Sequence, residues 1–316
     1  MKKMKKFNII KTVFVLLMVT FSFTLKAQQD PMYTQYMFNT QVINPAYAGT
    51  WESLSFMVLA RQQWAGFDGA PQTYTFSAQI PLKNERTALG LDLISDKIGL
   101  EKRFYMFVDY SHLVQITEKT KLRLGLKGGL TNYSNNLMDY NLTDYNDPLF
   151  QDHLSKTTPN FGVGAFLYDS ERYYVGLSIP RILNHNLETD SNVKFSPELR
   201  HYFFIAGLVF NLGENLKFKP TMLTKAAFGP NYGTPLQLDL SANFLIKEKI
   251  WLGAMYRTGD SYGFIAQWIF DKKLRIGYAY DITTTNLRQY NNGSHELMLS
   301  YELRFLKEIV TSPRYF

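Results

Sequence analysis

The side chains that could carry acid–base or metal chemistry are few and badly spaced for it. The histidines stand at His112, His153, His185, His201 and His295, with no two at ligand spacing. His295-Glu296 lacks the second histidine of a helical zinc-hydrolase motif. Asp139, Asp144, Asp147 and Asp152 crowd one stretch, as calcium ligands would, but without the glycine and terminal glutamate of a calcium loop they read as a solvated loop. Gly162-Val163-Gly164 falls inside an alternating segment rather than between a strand and a helix, so it is no dinucleotide turn. No serine–histidine arrangement stands out as a nucleophile with its base. The chain has no cysteine, which excludes disulfides, thiol nucleophiles, cysteine-ligated metals and an N-terminal lipid anchor on cysteine. These residues point to a protein that is not an enzyme and holds no cofactor or metal.

A different set of charges recurs at every second position. Arg61, Asp92, Asp109, Arg123, Lys127, Lys217, Asp239, Arg257, Arg275, Asp281, Glu302 and Arg304 all lie opposite an apolar face in alternating segments. In Pro235 to Phe244, for example, Leu236, Leu238, Leu240, Ala242 and Phe244 oppose Gln237, Asp239, Ser241 and Asn243. If the apolar face meets lipid, the charges line a lumen. There they either pair with each other or form a selective pore. Mixed signs favour pairing, since a charge on the lipid face would cost ~2–4 kcal/mol at midplane.

The elements needed to place these charges are strands. The alternation repeats fourteen times, roughly over 52–63, 72–82, 87–96, 102–116, 120–132, 160–169, 172–180, 198–211, 215–225, 235–246, 249–258, 261–270, 273–283 and 294–306. With the first strand running outward, the connections sort by side. One side has tight turns such as Thr117-Glu118-Lys119 and Lys247-Glu248; the other has mostly longer ones at 64–71, 97–101, 133–159, 181–197, 226–234 and 284–293, with 259–260 a tight exception. An even strand count and sorted loops are the layout of a bacterial outer-membrane barrel, with both termini in the periplasm. Aromatics near strand ends, at Trp64, Phe104, Tyr105, Tyr173, Tyr174, Tyr202, Phe203, Trp251, Tyr256 and Trp268, suggest interfacial girdles.

The fold class is therefore all-β: one transmembrane, antiparallel, up-and-down barrel of about 14 strands at 51–306, after a cleaved signal peptide at 1–27. Lys2, Lys3, Lys5 and Lys6 form the basic head of that signal, Thr12 to Leu25 its apolar run, and Ala27 its cleavage residue. The first 27 residues hold six lysines and no acid, so the remaining chain carries 28 basic and 27 acidic residues and the overall charge of +7 falls to +1. A nucleic-acid reading of the pI is excluded on that ground. The mean hydropathy of −0.20 decides nothing, because half of each barrel strand faces a polar interior.

Residues 28–50 do not alternate, yet Tyr33, Tyr36, Met37, Phe38, Val42, Ile43 and Tyr47 make them too apolar for a solvated tail. They either plug the barrel mouth or pack on a periplasmic partner. The end, 307–316, reads as a periplasmic tail.

Asp30-Pro31, Tyr36, Asn39 and the run Asn44-Pro45-Ala46-Tyr47-Ala48-Gly49 resemble the opening of the PorP/SprF family of type IX secretion outer-membrane proteins in Bacteroidota. Arg61-Gln62-Gln63-Trp64 and Pro71-Gln72 resemble its first hairpin, and Ile98-Gly99 and Ser312-Pro313-Arg314-Tyr315 extend the likeness to the chain's end. The resemblance implies a Gram-negative outer-membrane location surrounded by lipid. It also implies secretion or surface attachment of a large cargo such as an adhesin, gliding adhesins included. Partners would be type IX components and a cargo read through its C-terminal signal domain. Contacts to a partner or plug would fall on the motif residues Asp30, Pro31, Tyr36, Asn39, Asn44, Pro45, Tyr47, Gly49, Arg61, Gln63, Trp64 and Arg314. A passive diffusion channel, or a transporter of hydrophobic solutes, is the alternative reading.

Overall fold

The computed structural model describes residues 30–82, 86–136, 153–169, 172–185, 199–228, 234–271 and 273–303. The strands are β1 (Leu54–Gln62), β2 (Gln72–Pro81), β3 (Thr87–Ile98), β4 (Glu101–Gln115), β5 (Thr120–Asn136), β6 (His153–Asp169), β7 (Tyr173–Ile179), β8 (Arg200–Leu208), β9 (Phe210–Gly213), β10 (Leu216–Phe228), β11 (Gln237–Ile246), β12 (Ile250–Arg257), β13 (Ser261–Phe270), β14 (Leu274–Thr283) and β15 (Ser294–Leu303). β8 and β9 are one stave interrupted at Val209, since both pair with β10. Each stave is antiparallel to its sequence neighbours, β15 pairs with β1, and the result is a closed all-β barrel of 14 staves. Closure satisfies every ladder internally, which a sheet inside lipid requires.

Alternation sets the two faces. Along β13, Tyr262, Phe264, Trp268 and Phe270 are exposed on the outside, while Ser261, Gly263, Ile265, Gln267 and Ile269 are buried within. The same phase puts Leu89 outside and Asp92 inside on β3, and Leu126 outside and Lys127 inside on β5.

The connections fall into two rims. One carries 82–86, 116–119, 170–172, 214–215, 247–249 and 271–273; the other carries 63–71, 99–100, 137–152, 180–199, 229–236, 258–260 and 284–293. Two sequence expectations change here. The connection expected at 97–101 is only Gly99-Leu100, with Gly99 at φ 57°, so a second tight turn joins the long-connection rim. The hairpin β5–β6 continues to Asn136 and His153, so strand takes up both ends of the loop expected at 133–159, and 137–152 lie outside the described residues. Polar residues there hide the strand from a hydrophobicity pattern, because ladder pairing rather than side-chain polarity carries the strand beyond the lipid.

The girdle also needs correction. Phe104, Tyr202, Tyr256 and Trp268 lie on the outer phase, but Tyr105, Tyr174, Phe203 and Trp251 are buried inside. Neighbours such as Phe104 and Tyr105 must point to opposite faces of a strand, so a cluster of strand-end aromatics cannot all belong to one belt.

Candidate functional site

Residues 30–53 fill the lumen. All but a few are buried, and Thr34, Gln35, Ala46, Ala48 and Thr50 have no measurable exposure. Thr40–Ile43 forms one helical turn and Pro45–Tyr47 one 3-10 turn. Both are short because the segment gains its stability from the wall, not from helix propagation. Asn44 caps the second turn, its side chain accepting from the Ala46 N–H at 3.0 Å, and Pro45 at the first helical position gives up a donor that would have been an orphan anyway.

The wall holds the plug through charges that also pair with each other. On adjacent staves β1, β14 and β15, Arg61 meets Asp281 at 2.7 Å and Glu296 at 3.1 Å. Glu296 then accepts the backbone N–H groups of Thr34 and Gln35 at 2.8 and 2.9 Å. The Thr34 hydroxyl donates to Asp281 and accepts from Arg61. Next along, Arg257 pairs with Asp239 at 2.8 Å and donates to the Tyr33 carbonyl at 2.8 Å. Tyr36 reaches Thr221, Ser241 and the Asp239 carbonyl. On the opposite wall, Lys127 sits between Asp92 and Asp109 at 2.5 and 3.2 Å, and Asp92 receives the Gln41 amide at 3.1 Å. Arg123 donates to Gly49's carbonyl and to Ser111, which in turn donates to the Ala48 carbonyl. Buried charges paired in this way avoid the several kcal/mol cost of an isolated ion.

Elsewhere the wall makes room. Gly125 on β5 and Gly164 on β6 are register partners facing Asn44 to Ala46, and a Cβ on either would overlap that backbone or the Asn44 side chain. The Asn44 amide donates to the Ala165 carbonyl and Ser178 donates to the Ile43 carbonyl. Tyr47 packs edge-on against Phe166, with centroids 5.3 Å apart, and accepts from the Trp51 indole. Gly49, at φ 82°, turns the chain toward β1 with its N–H held by Gln79.

The motif residues thus divide. Asp30, Tyr36, Asn39, Asn44, Pro45, Tyr47, Gly49 and Arg61 meet in or against the plug, and Pro31 lines a small recess with Val42, Ile43, Lys127 and Phe203. Gln63 and Trp64 do not join them. They shape the β1–β2 connection, where the Gln63 N–H bonds the Pro71 carbonyl and Trp64 takes φ 49°. Lys217 stands at the short-turn rim beside Glu248. Arg275 packs its guanidinium over the rings of Phe38 and Trp51. Arg304, Arg314, the four loop aspartates and the expected tail lie outside the described residues.

Two residues of the site are not among the charges expected to line the lumen. Glu296 is on the polar phase of β15, so strict alternation finds it once the His295-Glu296 pair is set aside as a zinc motif. Lys219 is buried, its Nζ without a hydrogen-bond partner among the described residues, and is enclosed by the rings of Phe38, Tyr174 and Trp251 at 5.1, 5.5 and 5.8 Å. Nothing in its local sequence separates it from its neighbour Lys217.

The plug also has a direction. Asp30 pairs with Arg181 and lies 3.0 Å from the His201 ring, both next to the 180–199 connection. Glu52 pairs with Lys121 at the start of β5, on the short-turn rim. The chain therefore traverses the lumen from the long-connection rim to the short-turn rim before β1 begins. The first described residue, Asp30, stands at the long-connection rim and the last, Leu303, at the short-turn rim; the two ends expected in the periplasm lie outside the described residues.

A closed barrel with an apolar outer belt and a lumen occupied by its own N-terminal segment defines a plugged outer-membrane barrel. The chain belongs to a family described as type IX secretion system membrane protein PorP/SprF, whose model matches residues 25–301. Among curated proteins none matches the sequence. Solved structures with similar outlines include Omp33 of Acinetobacter baumannii (9% identity, TM-score 0.46, covering 79% of this chain and 99% of that one). The CymD monoaromatic hydrocarbon channel gives 11% and 0.49, covering 88% and 95%, and the P. putida toluene transporter TodX gives 10% and 0.43, covering 85% and 95%. Likeness at this level carries no argument about function.

Proposed function

We propose that this barrel supports secretion or surface attachment of a large cargo protein, such as an adhesin, through the type IX system, and that it performs no catalysis. Residues 1–27 act as the export signal. The long-connection rim faces the outside and meets cargo; the short-turn rim faces the periplasm and meets secretion components. One observation carries the choice against a passive channel: the lumen is packed by residues 30–53, pinned through Arg61, Glu296, Arg257 and Arg123. A diffusion path would have to displace that segment and strand its buried partners, whereas a protein-binding barrel needs only its rims. A role in gliding and recognition of a C-terminal signal domain are parts of this proposal that only the family likeness supports.

The test is a pull-down of the tagged, full-length barrel in mild detergent. Recovery of a large secreted protein or of type IX components supports the reading. Recovery of neither, together with a stable open conductance of the isolated protein in planar bilayers, overturns it in favour of a channel.

A further inference from the structure

The outward face near the long-connection rim breaks the rule that governs the rest of the belt. Lys97 on β3 and Lys102 on β4 are register partners, and both are exposed on the outer phase. Side chains directly opposite on antiparallel strands have Cβ atoms about 4.5–5.5 Å apart, and like charges there repel. Among the described residues no acid pairs with either lysine. The nearest carboxylates are engaged elsewhere: Asp96 accepts from Thr73, and Glu101 pairs with Arg103. Their register neighbours on the same face are neutral and polar, Gln72 beside Lys97 and Ser134 beside Lys102.

The height of the pair identifies what could relieve the repulsion. Two residues nearer the barrel middle on the same face, the partner pair is Ser95 and Phe104, followed by Leu93 and Met106, with Phe104 and Met106 exposed to the lipid side. The two ammonium groups thus stand directly above an apolar belt, where lipid headgroups lie. Tyr74, register partner of Ser95, adds an exposed phenol beside them.

We propose that Lys97 and Lys102 form a seat for the phosphate of a phosphorylated membrane lipid. Two ammonium groups at cross-strand spacing can each donate charge-assisted hydrogen bonds to one phosphate, while the acyl chains lie along Phe104 and Met106. The seat lies on the outside of the barrel and is independent of the cargo reading, which concerns the rims and the lumen.

The experiment measures binding of dihexanoyl phosphatidic acid to the full-length barrel in neutral detergent by native mass spectrometry, with dihexanoylglycerol and inorganic phosphate as separate arms. Phosphatidic acid should bind the wild type at least about tenfold more tightly than the Lys97→Gln/Lys102→Gln variant, and Lys97→Arg/Lys102→Arg should keep the binding. Unchanged affinity in the glutamine variant overturns the proposal. Equal binding of dihexanoylglycerol would mean an apolar groove only, and equal binding of inorganic phosphate a free-anion site only; either overturns the lipid assignment. Should the double variant not fold, Lys102→Gln alone is read, with about threefold weakening expected and no weakening counting against the seat.

Discussion

Gly125 faces the peptide between Pro45 and Ala46 so closely that a Cβ on it would stand well inside 3.0 Å of the Ala46 nitrogen. Its register partner Gly164 meets Asn44 and Pro45 in the same way. The obstacle in both cases is backbone or a capped turn, which cannot rotate aside as a long side chain can. Gly125→Val should therefore push the plug off this wall and destabilise the barrel by about 1–3 kcal/mol, as overpacking does. Protease protection of the plug in the folded, detergent-solubilised protein checks this. A variant with a wild-type digestion pattern would show that the plug does not depend on the close approach.

Arg61 is the shared partner of two buried acids, and its loss has a predictable size. Arg61→Leu leaves Asp281 and Glu296 facing each other in the interior without a cation, which should cost about 3–5 kcal/mol. Glu296→Gln should cost less, because the amide oxygen still accepts one of the Thr34 and Gln35 N–H groups, although the charge-assisted bond is lost. The order is checked by urea unfolding followed on gels, where a folded barrel migrates faster than the unfolded chain. Equal midpoints for Arg61→Leu and wild type would remove the ion cluster as a stabilising element.

Much of this fold is legible in the sequence alone. Fourteen staves follow from period-two alternation, because a slip of one residue would send a charge such as Asp239 into lipid. Of the charges expected inward, Asp92, Asp109, Arg123, Lys127, Asp239, Arg257, Arg275 and Asp281 are buried, Lys217 stands at the rim, and Arg304 lies outside the described residues. What was hidden is the partner of each charge, since Arg61 and Glu296 meet only through the closure of β1 on β15, 235 residues apart. The aromatic belt was over-read because apolar plug residues recruit inward aromatics such as Tyr174 and Trp251, and composition cannot distinguish a residue facing lipid from one facing an apolar plug. The path of the plug was also hidden. Its direction depends on Asp30 finding Arg181, which carries no sequence signature.

Lys219 is the weak joint of the interior. Its ammonium has no hydrogen-bond partner among the described residues and rests on three rings, while Arg275 shares the Phe38 ring with it. Cation–π contact returns about 2 kcal/mol or somewhat more when desolvated, which offsets only part of burying an ion. Lys219→Met keeps the length and packs the same rings, so it should be neutral or raise the unfolding midpoint. Lys219→Glu, placing an anion against ring faces, should lower it sharply. If Lys219→Met destabilises by more than about 2 kcal/mol, the ammonium must hold a bond that its surroundings do not display.

The plug and the wall are separable by deletion, and the outcome discriminates between the two uses of a barrel. Removing residues 30–50 leaves every strand pairing intact, because no ladder includes that segment. It removes the plug contacts of Glu296, Arg257 and Arg123 at once and leaves them their wall partners Arg61, Asp239 and Ser111; those groups then face water rather than a dry interior, so the desolvation cost is relieved along with the contact. The shortened chain should fold with a lower unfolding midpoint and conduct ions in planar bilayers in long-lived steps, whereas the wild type should stay closed. Restoring residues 30–50 as a separate peptide should reduce the conductance. A deleted barrel that stays closed would mean that the wall charges collapse across the lumen by themselves, and that the plug serves recognition at the rim rather than occlusion.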